Sequence, residues 1–129
     1  MRGTQLRDTF KRLPELGAKE IHVRSACPPI LFNCKYLNFS RTKTEQDLAG
    51  RRTLRELEGG NDNDLHEYAN PDSEKYAAMV DRIRQRLFLS SLKYQRLEDL
   101  VKAIGLPKEN LCTYCWDGCE GCYGKQMTF

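Results

Sequence analysis

Apolar positions recur at helical spacing in four stretches of this chain. Leu6, Phe10 and Leu13 mark a helix over Thr4–Leu16, with Thr4 as N-cap. Pro14 is expected to end it early, and Gly17 is a natural stop. A second helix is predicted from Thr44 towards Glu58, with Leu48, Leu54 and Leu57 as its apolar stripe. Pro71-Asp72-Ser73 opens the strongest helix, whose apolar face is Tyr76, Met79, Val80, Ile83 and Leu87. The last helix, Arg96 to Ile104, carries Leu97, Leu100, Val101 and Ile104 on one face and stops at Gly105. Period-two alternation occurs once, over Lys19–Arg24, and is broken at Ser25-Ala26-Cys27-Pro28-Pro29 because two prolines cannot continue a ladder.

One strand among helices does not balance. A lone strand leaves its backbone donors and acceptors unpaired. The pattern therefore predicts an α/β remnant, mostly helical, that pairs with something else or is cut from something larger. Cys34–Phe39 reads as an aromatic loop, and Gly59–Asp64 as a linker by composition.

The densest chemistry lies near the C-terminus. Cys112, Cys115, Cys119 and Cys122 surround the single tryptophan, Trp116. Composition narrows what they do. The 129 residues are 40% hydrophobic and 30% charged, with a net charge of +3 spread along the chain. That suits one globular domain and gives no footprint for nucleic acid. No apolar run approaches a membrane span, and Met1-Arg2-Gly3-Thr4-Gln5 is not a signal peptide. The expected compartment is the reducing cytoplasm, where clustered cysteines are more often metal ligands than disulfides. One reading is a self-contained zinc-binding interaction module using Cys112, Cys115, Cys119 and Cys122, although zinc pairs usually straddle a longer spacer. Cys27 reads as a small packed residue, and Tyr114 and Trp116 as shields around the thiols. His22 and His66 have no nucleophile at suggestive spacing and read as structural.

Three motifs in order carry a resemblance. Arg2-Gly3-Thr4-Gln5 opens a helix; Gly17 to Ile30 contains Ile21-His22-Val23-Arg24-Ser25-Ala26-Cys27-Pro28-Pro29; and Ser91-Leu92-Lys93-Tyr94 leads through Gly105-Leu106-Pro107 to Leu111-Cys112-Thr113-Tyr114-Cys115-Trp116. Together they resemble the C-terminal part of amidophosphoribosyltransferases. That family makes phosphoribosylamine from phosphoribosyl pyrophosphate and glutamine, the first step of purine synthesis. The resemblance implies the C-terminal part of a type I phosphoribosyltransferase fold with an incomplete parallel sheet and a Cys-rich end. It divides the chain into 1–60 (phosphoribosyltransferase part), 61–90 (an inserted segment whose helix is most simply a packed surface helix) and 91–129 (closing helix and iron–sulfur segment).

It also implies roles. Arg2, Gly3, Thr4 and Gln5 match the turn that holds the 5-phosphate, with Gln5 in place of the commoner threonine. A helix N-terminus with free backbone donors suits a phosphate. Cys34, Cys112 and Cys115 match three ligands of the 4Fe–4S cluster found in a subset of the family, the fourth lying outside this chain. Magnesium and homo-oligomerisation belong to the intact enzyme. The acidic pair that holds the ribose and the glutaminase half are absent from these residues, so the chain is expected to be a truncated product, inactive alone, with no nucleic-acid or membrane partner.

Overall fold

The structure is a computed structural model that describes residues 3–34, 48–58 and 65–119, and of residues 3–5 the backbone alone. The first helix, α1, runs Gly3–Glu15. Its end is a Schellman motif: Ala18 N–H donates to Leu13 O at 3.1 Å and Gly17 N–H to Pro14 O at 3.0 Å. This closure needs a residue in the left-handed region, and Gly17 sits at φ +96. Pro14 does not cut the helix short, contrary to the expectation. It lies in the last turn, where the helix gives up one backbone bond and continues to Glu15.

Strand β1 (His22–Ser25) is not alone. It pairs in parallel with β2 (Ser91–Tyr94), in the register His22↔Ser91, Val23↔Leu92, Arg24↔Lys93 and Ser25↔Tyr94. This second strand corrects the lone-strand reading and supplies the missing ladder partners. Val23 and Leu92 turn to the core, while His22, Arg24 and Lys93 face solvent. Parallel strands need a long crossover. Here it contains α2 (Ala49–Glu58), α3 (Leu65–Ala69) and α4 (Glu74–Arg86). The predicted start of α2 at Thr44 and the Gly59–Asp64 linker lie outside the described residues.

α4 packs one face into the core and leaves Ala78, Asp81, Arg82 and Gln85 exposed, as a packed surface helix does. It contacts α2, α3 and β2, and Met79 (0% exposed) and Ile83 (3%) sit in the core with Leu31, Leu54, Leu87 and Leu92. Ser73 caps it: the Tyr76 N–H donates to Ser73 Oγ at 3.0 Å, and that hydroxyl donates back to Glu67 O and Asn70 O. α2 crosses close to the chain at Gly50, where a Cβ would stand 2.7 Å from Leu31 Cδ2. Leu48 and Leu54 of the predicted α2 stripe are buried, but Leu57 is 43% exposed. On the outer surface, Arg82 and Arg86 of α4 both pair with Glu56 of α2.

After β2 the chain enters α5 (Leu97–Ile104), closed by Gly105 at φ +75. A 3-10 turn over Lys108–Asn110 and the single-turn helix α6 (Tyr114–Asp117) follow. No helix among the described residues is long and apolar enough to cross a membrane.

Candidate functional site

Both strands lead, at their C-terminal ends, towards the cysteines. Beyond β1 the chain runs through Pro28 and the buried Pro29 into Leu31 and Phe32. Both of those amides donate to one acceptor, the carbonyl oxygen of Cys115, at 3.0 and 3.1 Å. Arg51 of α2 secures the same loop. Its Nε–H donates to Leu31 O at 2.7 Å, and its guanidinium carbon lies 5.7 Å from the Phe32 ring centroid. Cys34 follows two residues after Phe32.

Phe32 is enclosed on several sides. Tyr114 and His66 tilt against it with centroids at 5.8 and 6.2 Å. Gly118, in the left-handed region at φ +68, comes so close that an added Cβ would lie 2.6–3.0 Å from three ring atoms. His66 therefore has the packing role expected of it. Tyr114 packs on this ring, and Trp116 lines a small cleft with Pro28, Pro29, Tyr76 and Arg96.

α6 is short, and side chains add to its own backbone hydrogen bonds. Thr113, 1% exposed, donates its hydroxyl to Asp117 Oδ2 at 2.9 Å. The Cys119 N–H donates to Asp117 Oδ1 at 3.0 Å, and Lys108 Nζ lies 3.0 Å from Oδ2. Burial opposes the charge on Asp117, but the Cys119 amide, Lys108 and Thr113 outweigh it and hold its carboxyl below the usual value. This network, centred on Asp117, was not read from the sequence; the four-residue spacing of Thr113 and Asp117 across a helical turn was its only signal.

Cys27, Cys34, Cys112 and Cys115 carry no disulfide. Burial, then the neighbouring Cys34 and Cys112 thiols, push the Cys115 thiol up to about 11. Cys34 and Cys112 thus both lie within electrostatic reach of Cys115. Cys119 is disulfide-bonded, so its sulfur is not a thiolate donor, and the four-cysteine zinc reading loses a ligand. Among the described residues, no group of three or more His, Cys, Asp or Glu could hold a single metal ion. Beside Cys34, the Oδ1 of Asn33 is a buried acceptor with no hydrogen-bond partner among the described residues.

The expected phosphate turn is only partly visible. α1 begins at Gly3, so Gly3, Thr4 and Gln5 form its first turn, while Arg2 lies outside the described residues. Elsewhere, strand register brings His22 to Ser91. His22 Nδ1 is 2.8 Å from Ser91 Oγ, His22 Nε2 is 3.0 Å from Glu20 Oε2, and Arg24 Nη1 donates to Ser91 Oγ at 2.8 Å. No spacing announced this pairing, because the two residues are 69 positions apart. All of it is solvent-exposed, and it joins β1 to β2 across the polar face.

No family profile matches the chain, and no solved structure matches it. Curated proteins do. The chain is 32% identical over 118 residues to the amidophosphoribosyltransferase of Methanothermobacter thermautotrophicus, covering 92% of this chain and 19% of that protein. The amidophosphoribosyltransferase of Methanocaldococcus jannaschii is 30% identical over the same shares. The chloroplastic amidophosphoribosyltransferase of Glycine max is 27% identical, over 92% of this chain and 16% of that protein. The chain thus spans less than a fifth of the length of these relatives. Over nearly all of its residues it is homologous to a portion of the amidophosphoribosyltransferases.

Proposed function

We propose that this chain forms the C-terminal part of the phosphoribosyltransferase region of an amidophosphoribosyltransferase. The intact enzyme would make phosphoribosylamine from phosphoribosyl pyrophosphate and glutamine, with ammonia attacking C1 of the ribose as pyrophosphate leaves. In this reading Arg2, Gly3, Thr4 and Gln5 hold the 5-phosphate at the N-terminus of α1, where unpaired backbone N–H groups face the anion. Magnesium, the homo-oligomer and a cytoplasmic location belong to the same proposal; relatives from Glycine max and Arabidopsis thaliana are named as chloroplastic. The segment 61–90 is an insertion by this reading, although α4 within it is integral to the core.

Cys34, Cys112 and Cys115 are proposed ligands of a 4Fe–4S cluster. The observation that carries this is the joining of the Leu31–Phe32 loop to the Cys115 carbonyl, which holds the loop ending in Cys34 against the Cys112–Cys115 turn. The donor set fits: thiolates are soft ligands suited to iron–sulfur clusters. A cluster also gives each thiolate its own iron, so its ligands stand further apart than those of a single ion. The unpartnered Asn33 Oδ1 agrees with a site completed by atoms from elsewhere. When bound, the cluster would supply a cross-link between distant segments; the phosphate turn and the thiols do their parts separately.

Anaerobic purification with iron and sulfide analysis and a visible spectrum tests the metal. Iron whose retention depends on Cys34, Cys112 and Cys115 is expected; zinc retained in its place would reject the cluster. Phosphoribosylamine formation by the 129-residue chain alone is expected to be absent, and measurable turnover would reject the division of labour.

A further inference from the structure

We infer that Phe32 and Gly118 form a latch that registers the loop ending in Cys34 against the turn bearing Cys112 and Cys115. The inference rests on the thiol-site reading above and adds the residues that assemble it. The two sides of the site come from distant parts of the chain, and neither forms a long element. The loop has no ladder, and α6 is four residues long. Two backbone bonds to one carbonyl fix the loop's height on α6, and Arg51 and the buried Leu31 side chain tie its start to α2. The Phe32 ring sets the orientation of the stretch that leads on to Cys34. It lies against Gly118 at one side and Tyr114 at another, with the Arg51 guanidinium over it.

Gly118 meets two demands that no other residue meets together. It closes α6 in the left-handed region, and it leaves room for the ring. Phe32 Cζ would stand 2.6 Å from a Cβ there, so an alanine drives the ring out or α6 away. Because Cys34 lies two residues beyond Phe32, and Cys115 three before Gly118, either displacement moves one side of the thiol site and not the other. Phe32 and Gly118 are thus positioning residues: neither brings a donor atom to the metal.

The test uses the full chain, reduced and without metal, treated with a short bismaleimide. Peptide mapping compares the Cys34–Cys115 cross-link with the Cys112–Cys115 cross-link. The second lies within one turn and serves as internal control. Phe32→Ala and Gly118→Ala attack the latch from opposite sides; Phe88→Ala, an exposed aromatic elsewhere, is the control variant. Circular dichroism monitors the fold of all three. The latch predicts that the ratio of the two cross-links falls about tenfold or more in both latch variants, and holds in the control, since small misplacements of reacting groups cost large factors. An unchanged ratio in a folded Gly118→Ala variant overturns it. Reconstitution with ferrous iron and sulfide is the second arm. Iron taken up by the wild-type chain and lost from both latch variants supports the latch; iron fully retained by them overturns it. Reconstitution is run with excess small thiol to stand in for the ligand outside this chain; a wild-type chain that then takes up no iron rejects the cluster reading, and the cross-link ratio decides the latch by itself.

Discussion

The backbone N–H of Leu31 and the carbonyl oxygen of Cys115 meet at 3.0 Å, joining a loop that follows β1 to a helical turn that follows β2. Phe32 N–H shares that oxygen at 3.1 Å. Leu31 is also fully buried, so its amide has no ready access to water. Hydrogen exchange is expected to show the Leu31 and Phe32 amides protected together, well above those of neighbouring loop residues. Exchange of these two at loop rates would remove the structural basis of the thiol site.

The cysteines should separate by reactivity. Cys27 and Cys112 are exposed, whereas Cys115 is partly buried with its thiol pushed up to about 11. The thiolate is the reactive form. Iodoacetamide at neutral pH should therefore modify Cys27 and Cys112 first and Cys115 slowly, with the Cys115 rate climbing as pH rises towards 11. Cys119 should react only after a reductant is added, because it is disulfide-bonded. Mass mapping over time checks the order; early labelling of Cys115 would contradict the burial.

Two groups give opposite limbs to the stability–pH curve. Arg96 binds both oxygens of Asp72, at 2.9 and 2.6 Å, and these hydrogen bonds hold the Asp72 carboxyl below its ordinary value. A depressed carboxylate stabilises the fold above its unfolded value, and that contribution is lost as pH falls through the folded one. Both partners are exposed, so the effect is small. Burial, then Tyr76, pushes Tyr94 up to about 12. Its contribution is fully present below 10, the ordinary value, and declines as pH rises towards 12. Asp72→Asn should flatten the acid limb and Tyr94→Phe the alkaline limb in thermal melts. An unchanged alkaline limb in Tyr94→Phe would show that the phenol is not buried.

Phe88 departs from expectation in its backbone. It sits at φ +57 without being glycine, closing α4 with Leu89 N–H to Arg84 O and Phe88 N–H to Gln85 O, both at 3.1 Å. Its ring lies under two cations of α1, with Arg7 at 5.7 Å and Lys11 at 5.6 Å. Alanine would keep the backbone strain and lose the ring; glycine would lose the ring but relieve the strain. Phe88→Gly should therefore be more stable than Phe88→Ala by about 1 kcal/mol. Both should loosen α1, read as faster proteolysis between Leu6 and Leu16.

Met79 is fully buried at the meeting of α4 with the core. Met79→Ala should cost about 2–5 kcal/mol in chemical denaturation. A cost under about 1 kcal/mol would contradict the burial of the Met79 face of α4.

The long elements were legible because side-chain periodicity is a local signal. α4 and α5 have near enough the predicted limits, and Gly17 and Gly105 end helices as their composition implies. β2 was not legible. Ser91-Leu92-Lys93-Tyr94 is four residues with only Leu92 buried, and its pairing is fixed by a strand 69 positions away. The site divides in the same way. Cys34, Cys112 and Cys115 were picked out by motif, and the structure brings their segments together. Phe32, Arg51, Thr113, Asp117 and Gly118 were not picked out, since what they do depends on contacts between segments.

The Leu31–Cys115 hydrogen bond also orders events in time. Its partners are separated by roughly eighty positions, and closing so long a loop follows the formation of nearby contacts. During synthesis, Cys34 emerges from the ribosome with its counterpart turn still untranslated. The segments bearing Cys34 and Cys115 therefore come together only after the Cys112–Cys115 turn has been made. A ribosome stalled before Cys112 would release a product that keeps α4 and β2 but lacks the carbonyl that fixes the Leu31–Phe32 loop.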